Sequence, residues 1–416
     1  MVKEKWISTH IKDIATIYGR IGFRGYTKQD IVKPGFGAIS LSPSNIKDGK
    51  VTYASATYIS WEKYEESPEI KLTNGDVVLV KTGSTFGKTA YIDRLPWPTT
   101  LNPQIVVFKK LKIHAKLFAY FMASKNIQEQ ISAVIVGGAI PTLSQEQVYA
   151  FDIVYPPDAK EQAAIAEALS DIDSLIFSLQ KLIEKKKAIK QGAMQELLTG
   201  KKRLPGFSTE WSQATFGDLF DFLPTNAFTR DQMTDTGTIQ NVHYGDILTK
   251  YGACLDMSKT DVPYLLESVS VRKYSESSYV REGDVILADT AEDSTVGKCV
   301  ELVNVCGKVL SGQHTMLCRP KITFAPKFLG YYMNAECFHN QMLPFITGIK
   351  VSSISKANIS TLVLKYPTLV EEQQAIAQVF SDMDNEIAQL EKKLAKYQQI
   401  KQGMMQELLT GRIRLV

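Results

Sequence analysis

Residues 161–200 read EQAAIAEALSDIDSLIFSLQKLIEKKKAIKQGAMQELLTG, and residues 372–411 read EQQAIAQVFSDMDNEIAQLEKKLAKYQQIKQGMMQELLTG. At a constant offset of 211, 23 of these 40 positions are identical, far beyond chance, so the chain is a duplicated unit. Fainter echoes lie outside the block: Trp6 and Asp13 match Trp211 and Asp218, Gly75 to Leu79 match Gly283 to Leu287, Gly87-Lys88 match Gly297-Lys298, and Tyr155-Pro156 match Tyr366-Pro367. The order is therefore globular, helix, globular, helix, with segments 1–157, 158–204, 205–367 and 368–416.

Period identifies the helices. Ile376, Phe380, Met383, Ile387, Leu390, Leu394 and Tyr397 are spaced 4, 3, 4, 3, 4, 3, an a/d seam, and Ile165, Leu169, Ile172, Ile176, Leu179 and Ile183 repeat it. Asp158 with Glu161, and Thr368 with Glu371, have capping-box spacing at the two helix starts. Gly192 and Gly403 interrupt helix-favouring sequence and predict a kink or short break. Gly200 and Gly411 stand where left-handed C-terminal caps belong, followed by the basic residues Lys201, Lys202, Arg203, Arg412 and Arg414. Forty helical residues make a rod of about 60 Å. Packing the two narrow seams on each other as an antiparallel pair buries both and serves as spacer and subunit interface. A coiled coil that only dimerises explains the helices but not the two different globular segments joined to them.

The globular segments alternate short strand candidates (Val51-Thr52-Tyr53, Asp76 to Val80, Gln104 to Phe108, Asp284 to Ala288, Thr315 to Cys318) with helix candidates near Lys116 to Ser124 and Lys327 to Asn334. The fold class expected is α+β: two globular domains separated by two long antiparallel coiled-coil helical regions, with an internal pseudo-twofold repeat.

Composition bounds the function. With 416 residues, 44% hydrophobic and 22% charged, two or three ordinary globular domains are expected, and no apolar run approaches the roughly 20 residues of a membrane span. Met1 to Trp6 has no apolar signal region, so a cytoplasmic protein is expected. Five cysteines (Cys254, Cys299, Cys306, Cys318, Cys337) show no Cys-x-x-Cys spacing and read as small buried apolar residues. Five scattered histidines offer no metal pair, and neither a metal nor a cofactor is expected. Residues 1–157 carry 19 basic against 13 acidic side chains and residues 205–368 carry 14 against 17, so charge alone does not establish a polyanion partner.

Polar loops recur in both globular segments. Lys81, Thr82, Ser84, Thr85 and Lys88 follow a strand candidate and resemble a phosphate loop, yet three residues separate Gly83 from Gly87 where the nucleotide motif needs four. The second half keeps Gly297-Lys298 with Thr290 and Ser294 in the corresponding stretch. An earlier pair of loops holds Ser40, Ser42 and Asn45, with Arg20, Arg24 and Lys28 close by in sequence, and Gln240, Asn241 and His243, with Arg230. Such hydroxyl, amide and guanidinium groups suit phosphates and base edges, so these eighteen residues are candidate DNA contacts. A solvated turn is the plain alternative for each. No Asn/Asp-Pro-Pro-aromatic tetrad, nuclease carboxylate pattern or Ser-His-Asp logic is found, and Asn102-Pro103-Gln104 only superficially matches the first.

At MQELLTG (194–200 and 405–411), KKRLPGFSTEW (201–211) and the proline-then-EQ helix starts, the sequence resembles the specificity (S) subunits of type I restriction-modification systems. The resemblance implies two target-recognition domains, each followed by a helical region, in a noncatalytic chain that reads a bipartite, asymmetric site on double-stranded DNA. It further implies two methylation subunits that bind S-adenosylmethionine and attach through the helical regions, and restriction/translocase subunits. Two alternatives remain at this stage: a nonenzymatic coiled-coil scaffold without sequence-specific DNA binding, and an enzyme using the Thr82 to Lys88 cleft.

Overall fold

The computed structural model describes residues 5–20, 25–134, 142–293, 295–348 and 351–415. Its two long helices are Ala159–Leu197 and Val370–Leu408, 39 residues each. By compactness the chain divides into one unit of Met1–Gln180 with Lys392–Val416 and a second of Lys181–Glu391. Each unit therefore holds one globular domain and half of each long helix.

The first unit is built on the antiparallel sheet Thr16–Gly19, Ile105–Lys109, Val77–Val80 and Thr89–Tyr91. Val77–Val80 is buried on both faces, which is why its sequence is an unbroken apolar run. Val77, Leu79, Val106 and Phe108 meet the helix Ala115–Met122, Ile165, Leu169 and Leu408 of the long helices, and Leu409 just beyond. The other face, with Val78, Val80 and Val107, meets Leu41, Ile70 and Leu101. A second sheet runs Thr99–Leu101, Ala38–Leu41, Thr57–Ile59, Ile31–Val32, its first pair parallel.

The second unit repeats this plan with Phe220–Leu223, Thr315–Pro320, Val285–Ala288 and Cys299–Val303, and adds a fifth strand, Cys254–Asp256, parallel to Cys299–Val303. The addition has a local cause. A Cβ on Gly330 would lie 2.3 Å from the Ala253 carbonyl oxygen, so only glycine lets the strand pass the helix Phe328–Met333. The corresponding residue of the first unit is Ala119, and among the described residues no fifth strand joins that sheet.

Within the first unit the long helices are linked by Lys401 to Asp173 at 2.6 Å, and within the second by Lys190 to Asp384 (2.5 Å), Lys186 to Glu386 (2.6 Å) and Lys187 to Glu391 (2.7 Å), an antiparallel register in each. Ile165, Leu169, Ile172, Leu179, Ile183, Ile376, Phe380 and Ile387 are buried, and Ile176, Met383, Leu390 and Leu394 are half-buried. Gly200 and Gly411 adopt φ of +70° and +72° as expected of left-handed caps, their missing side chains leaving room for the Trp211 and Trp6 rings.

Four expectations are corrected. The helices run unbroken through Gly192 and Gly403, because intrahelical hydrogen bonding and packing outweigh a propensity cost of about 1 kcal/mol. The capping boxes do not close: Asp158 does cap its helix by accepting from the Lys160 amide (2.9 Å), but Glu161 is fully buried against Arg414, and Thr368 lies one residue too early, donating instead to the Glu210 carbonyl. Cys306 is exposed, unlike the other four cysteines, and Thr52-Tyr53 falls outside a strand. Among the described residues no helix is long and apolar enough to cross a membrane.

Candidate nucleic-acid interface

Polar groups fasten each domain to the long helices, and they do so twice at the same offset. In the first unit the Tyr120 hydroxyl donates to Asp173 (2.8 Å), which also holds Lys401; in the second, Tyr331 donates to Asp384 (2.9 Å), which holds Lys190. Burial, and then the neighbouring carboxylate, push both phenols well above their ordinary range, so both stay protonated donors. Gln162 donates to the Pro156 carbonyl and accepts from the His114 amide, both at 2.8 Å. Gln373 does the same with Pro367 (2.8 Å) and Ala325 (2.9 Å). Glu161 binds Arg414 through both carboxylate oxygens, and Glu372 binds Arg203 likewise. In sequence Glu161 reads as half of a capping box and Arg203 and Arg414 as basic residues after a cap, while Tyr120, Gln162, Asp173, Lys190 and their counterparts go unselected because the apolar seam is followed instead. The signal was present in the polar identities of the two copies, Glu161, Gln162, Asp173 and Lys190 against Glu372, Gln373, Asp384 and Lys401.

On that frame three connections converge in each unit. In the first, the turn after Thr99–Leu101 is tied to the loop after Ala38–Leu41 by Asn102 N–H to Leu41 O (2.9 Å), and to the 81–88 connection by Lys81 N–H to Gln104 O (2.8 Å). In the second, Gly312 N–H donates to Val242 O (2.9 Å) and Asp289 N–H to His314 O (3.1 Å). Each unit thus carries a rim of polar side chains where three loops meet.

The structure sorts the candidate contacts. On the rim of the first unit lie Ser42, half-buried and donating to Asn45 (2.7 Å), with Lys81, Thr82 and Thr85 half-buried and Ser84 and Lys88 exposed. Lys28 is exposed on the 3-10 turn Lys28–Asp30. In the second unit Thr290 lies on the rim beside Asp289 (2.8 Å). Arg230 and Gln240 line a neighbouring cleft of about 700 Å³ with Lys250, Lys259 and Tyr264. Arg230 pairs there with the buried Asp246 at 2.7 Å. Burial alone would raise the Asp246 carboxyl, but Arg230 and Lys250 prevail and hold it below its ordinary range.

Six candidates are structural instead. Arg20 is buried and donates to Leu101 O (3.0 Å) and Thr100 (3.3 Å); Ser40 and Asn241 are fully buried; and Asn45 turns inward to accept from Ser42 N–H (2.9 Å). His243 caps the helix Tyr244–Thr249 by accepting from Gly245 N–H (3.1 Å), and burial with Arg230 lowers its pKa. Lys298 donates to Leu248 O (3.0 Å) rather than facing outward. In each case an isolated polar residue was read as a surface group, although the adjoining strand or cap carries it inside. Arg24 and Ser294 lie outside the described residues. Asn102, Gln104, Gln313 and His314 are rim residues that sequence reasoning did not select.

Comparison with known proteins accounts for this doubled frame. Over 374 residues the chain is 24% identical to the type I restriction enzyme MjaVIII specificity subunit of Methanocaldococcus jannaschii, covering 83% of this chain and 81% of that protein. It is 23% identical to the putative MjaX specificity subunit of the same organism, covering 100% and 95%. Its fold is similar to that of the S subunit of the type I restriction-modification system of M. genitalium, with a TM-score of 0.58 at 14% identity and coverage of 97% and 96%. A structure of type I R-M complex assembly gives a TM-score of 0.54 at 15% identity and 97% coverage of both chains. Both repeats, residues 3–191 and 208–402, match one family, and the chain accordingly belongs to the type I restriction modification DNA specificity domain family.

Proposed function

We propose that each unit reads one short half-site of duplex DNA with its three-loop rim, and that the helical regions set the gap between half-sites. The observation that carries this reading is the doubled rim: one backbone scheme of loop-to-loop hydrogen bonds, built twice, bearing different polar side chains. Two different heads on one repeated frame suit a bipartite, asymmetric target, with half-sites about one helical turn, roughly 10 base pairs, apart. The exposed cations Lys28, Lys88 and Arg230 suit phosphates, and Ser84 and Gln240 suit base edges.

On this reading the chain supplies recognition and no chemistry, acting in the cytoplasm. Two methylation subunits binding S-adenosylmethionine attach through the helical regions, and restriction/translocase subunits complete the complex. Exchanging residues 1–157 for the equivalent domain of a relative, in cells that also make the methylation subunit, is the test. Genome-wide mapping of modified adenines should show one half of the motif changed and the other retained. Joint change of both halves would refute independent readout, and the absence of any motif in the parent would refute sequence recognition itself.

A further inference from the structure

We propose that Gln104 and His314 are equivalent base-reading residues, and that their different chemistry makes the two half-sites different. The inference rests on the DNA-reading function above. Each is the last residue of the turn that leads into the central strand, Ile105–Lys109 or Thr315–Pro320. Each has its carbonyl held by the first amide of the neighbouring connection, and each turn begins with an amide bound to a third loop. The backbone at both positions is fixed from two sides while the side chains stand exposed, the arrangement that pre-organises a reading group.

The side chains are oriented as well. The Gln104 carboxamide oxygen accepts from Asn102 at 3.3 Å, and its nitrogen faces Gly83, where a Cβ would lie 3.3 Å away. Any side chain at position 83 would crowd this amide, and Gly83 itself has φ +104°. The His314 ring stands edge-on to Tyr244 with centroids 5.3 Å apart, beside Gln313 at 3.1 Å. His314 also adopts φ +54°, an uncommon conformation for a residue with a side chain, held by Thr315 bonding to Gly312 and Ser311. Both side chains stand exposed, outside the apolar core. A carboxamide can hold both hydrogen-bonding groups of an adenine edge, whereas an imidazole donates to a single purine acceptor.

The test uses the full chain assembled with its methylation subunits, comparing Gln104→Leu, His314→Leu and the exchange variants Gln104→His and His314→Gln by mapping modified adenines. Gln104 variants should lower discrimination by about 5- to 150-fold at one position of the first half-site and leave the second half-site intact. His314 variants should do the converse, and the exchange variants should give new preferences rather than simple loss. Uniformly reduced methylation with the parent motif would mean a structural role and overturn the assignment, as would an unchanged motif at full rate. A leucine variant that does not assemble leaves the decision to the polar exchange variants. A parent assembly with no motif would instead overturn the function on which the assignment rests.

Discussion

The fastenings and the rims of this molecule follow opposite rules. At the fastenings the two halves use the same residues: tyrosine to aspartate, aspartate to lysine, glutamine to a proline carbonyl, glutamate to arginine, each pair displaced by 211 positions. At the rims the backbone bonds repeat, but Gln104 stands against His314 and Lys81 against Asp289. Fastening chemistry is buried or half-buried and tolerates little change of shape. A rim residue faces solvent, where substitution has small effect on stability. A frame with exacting joints can therefore carry heads of differing chemistry.

The largest test of that contrast is to break one joint. Arg203→Met leaves the fully buried Glu372 carboxylate without its partner, at a cost of about 3–5 kcal/mol, and Arg414→Met should do the same to Glu161. Limited proteolysis mapped by mass spectrometry should show Arg203→Met exposing the second unit and Arg414→Met the first. Digestion no faster than that of the parent would show these joints to be dispensable. A smaller effect, about 1.5–3 kcal/mol, is expected for Asp173→Ala or Asp384→Ala, each of which strands a tyrosine hydroxyl and a lysine. Equal losses in the two units, measured by hydrogen exchange, are expected from equal joints; strongly unequal losses would break the equivalence.

The comparison is sharpened by acidity. Burial pushes the Glu301 carboxyl up to about 7, against the amides of Gly330 and Lys327 that it accepts from. The folded state thus binds this proton more tightly than the unfolded chain, for which 4.5 is ordinary. Its stabilising contribution is present below pH 4.5 and is lost as pH rises from there through about 7. Tyr91 takes the equivalent place in the first unit, each residue opposing the first valine of its neighbouring strand. Hydrogen exchange at pH 5 and pH 8 should show the second unit losing more protection against unfolding than the first, and Glu301→Gln should flatten that difference. An identical slope in the variant would remove Glu301 as the cause. The smallest effect expected is a gain of up to about 1 kcal/mol from Gly192→Ala or Gly403→Ala, since a Cβ at either meets nothing within 4 Å. A fall in thermal midpoint would mean that the helix needs glycine there.

What was legible in the sequence follows from the same physics. The duplication, the apolar seam and the central strands announced themselves because burial imposes period and apolar runs, as in Val77 to Val80. The rim was legible only as regions. Ser40 and Asn241 look like surface polar residues in sequence, yet both are fully buried on their strands, Ala38–Leu41 and Ile239–Val242. Gln104 and His314 looked ordinary because their position depends on hydrogen bonds between three segments distant in sequence.

The division of the chain into units has a consequence for truncation. The second unit is one continuous stretch, Lys181–Glu391. The first also needs Lys392–Val416, and its Glu161 finds Arg414 only across 253 positions. A chain cut after residue 391 therefore keeps the whole second unit, while the first is left with Glu161 uncompensated and its contact surface for Leu408 and Leu409 open. A chain truncated there would present a protease with an incomplete first domain ahead of a complete second one.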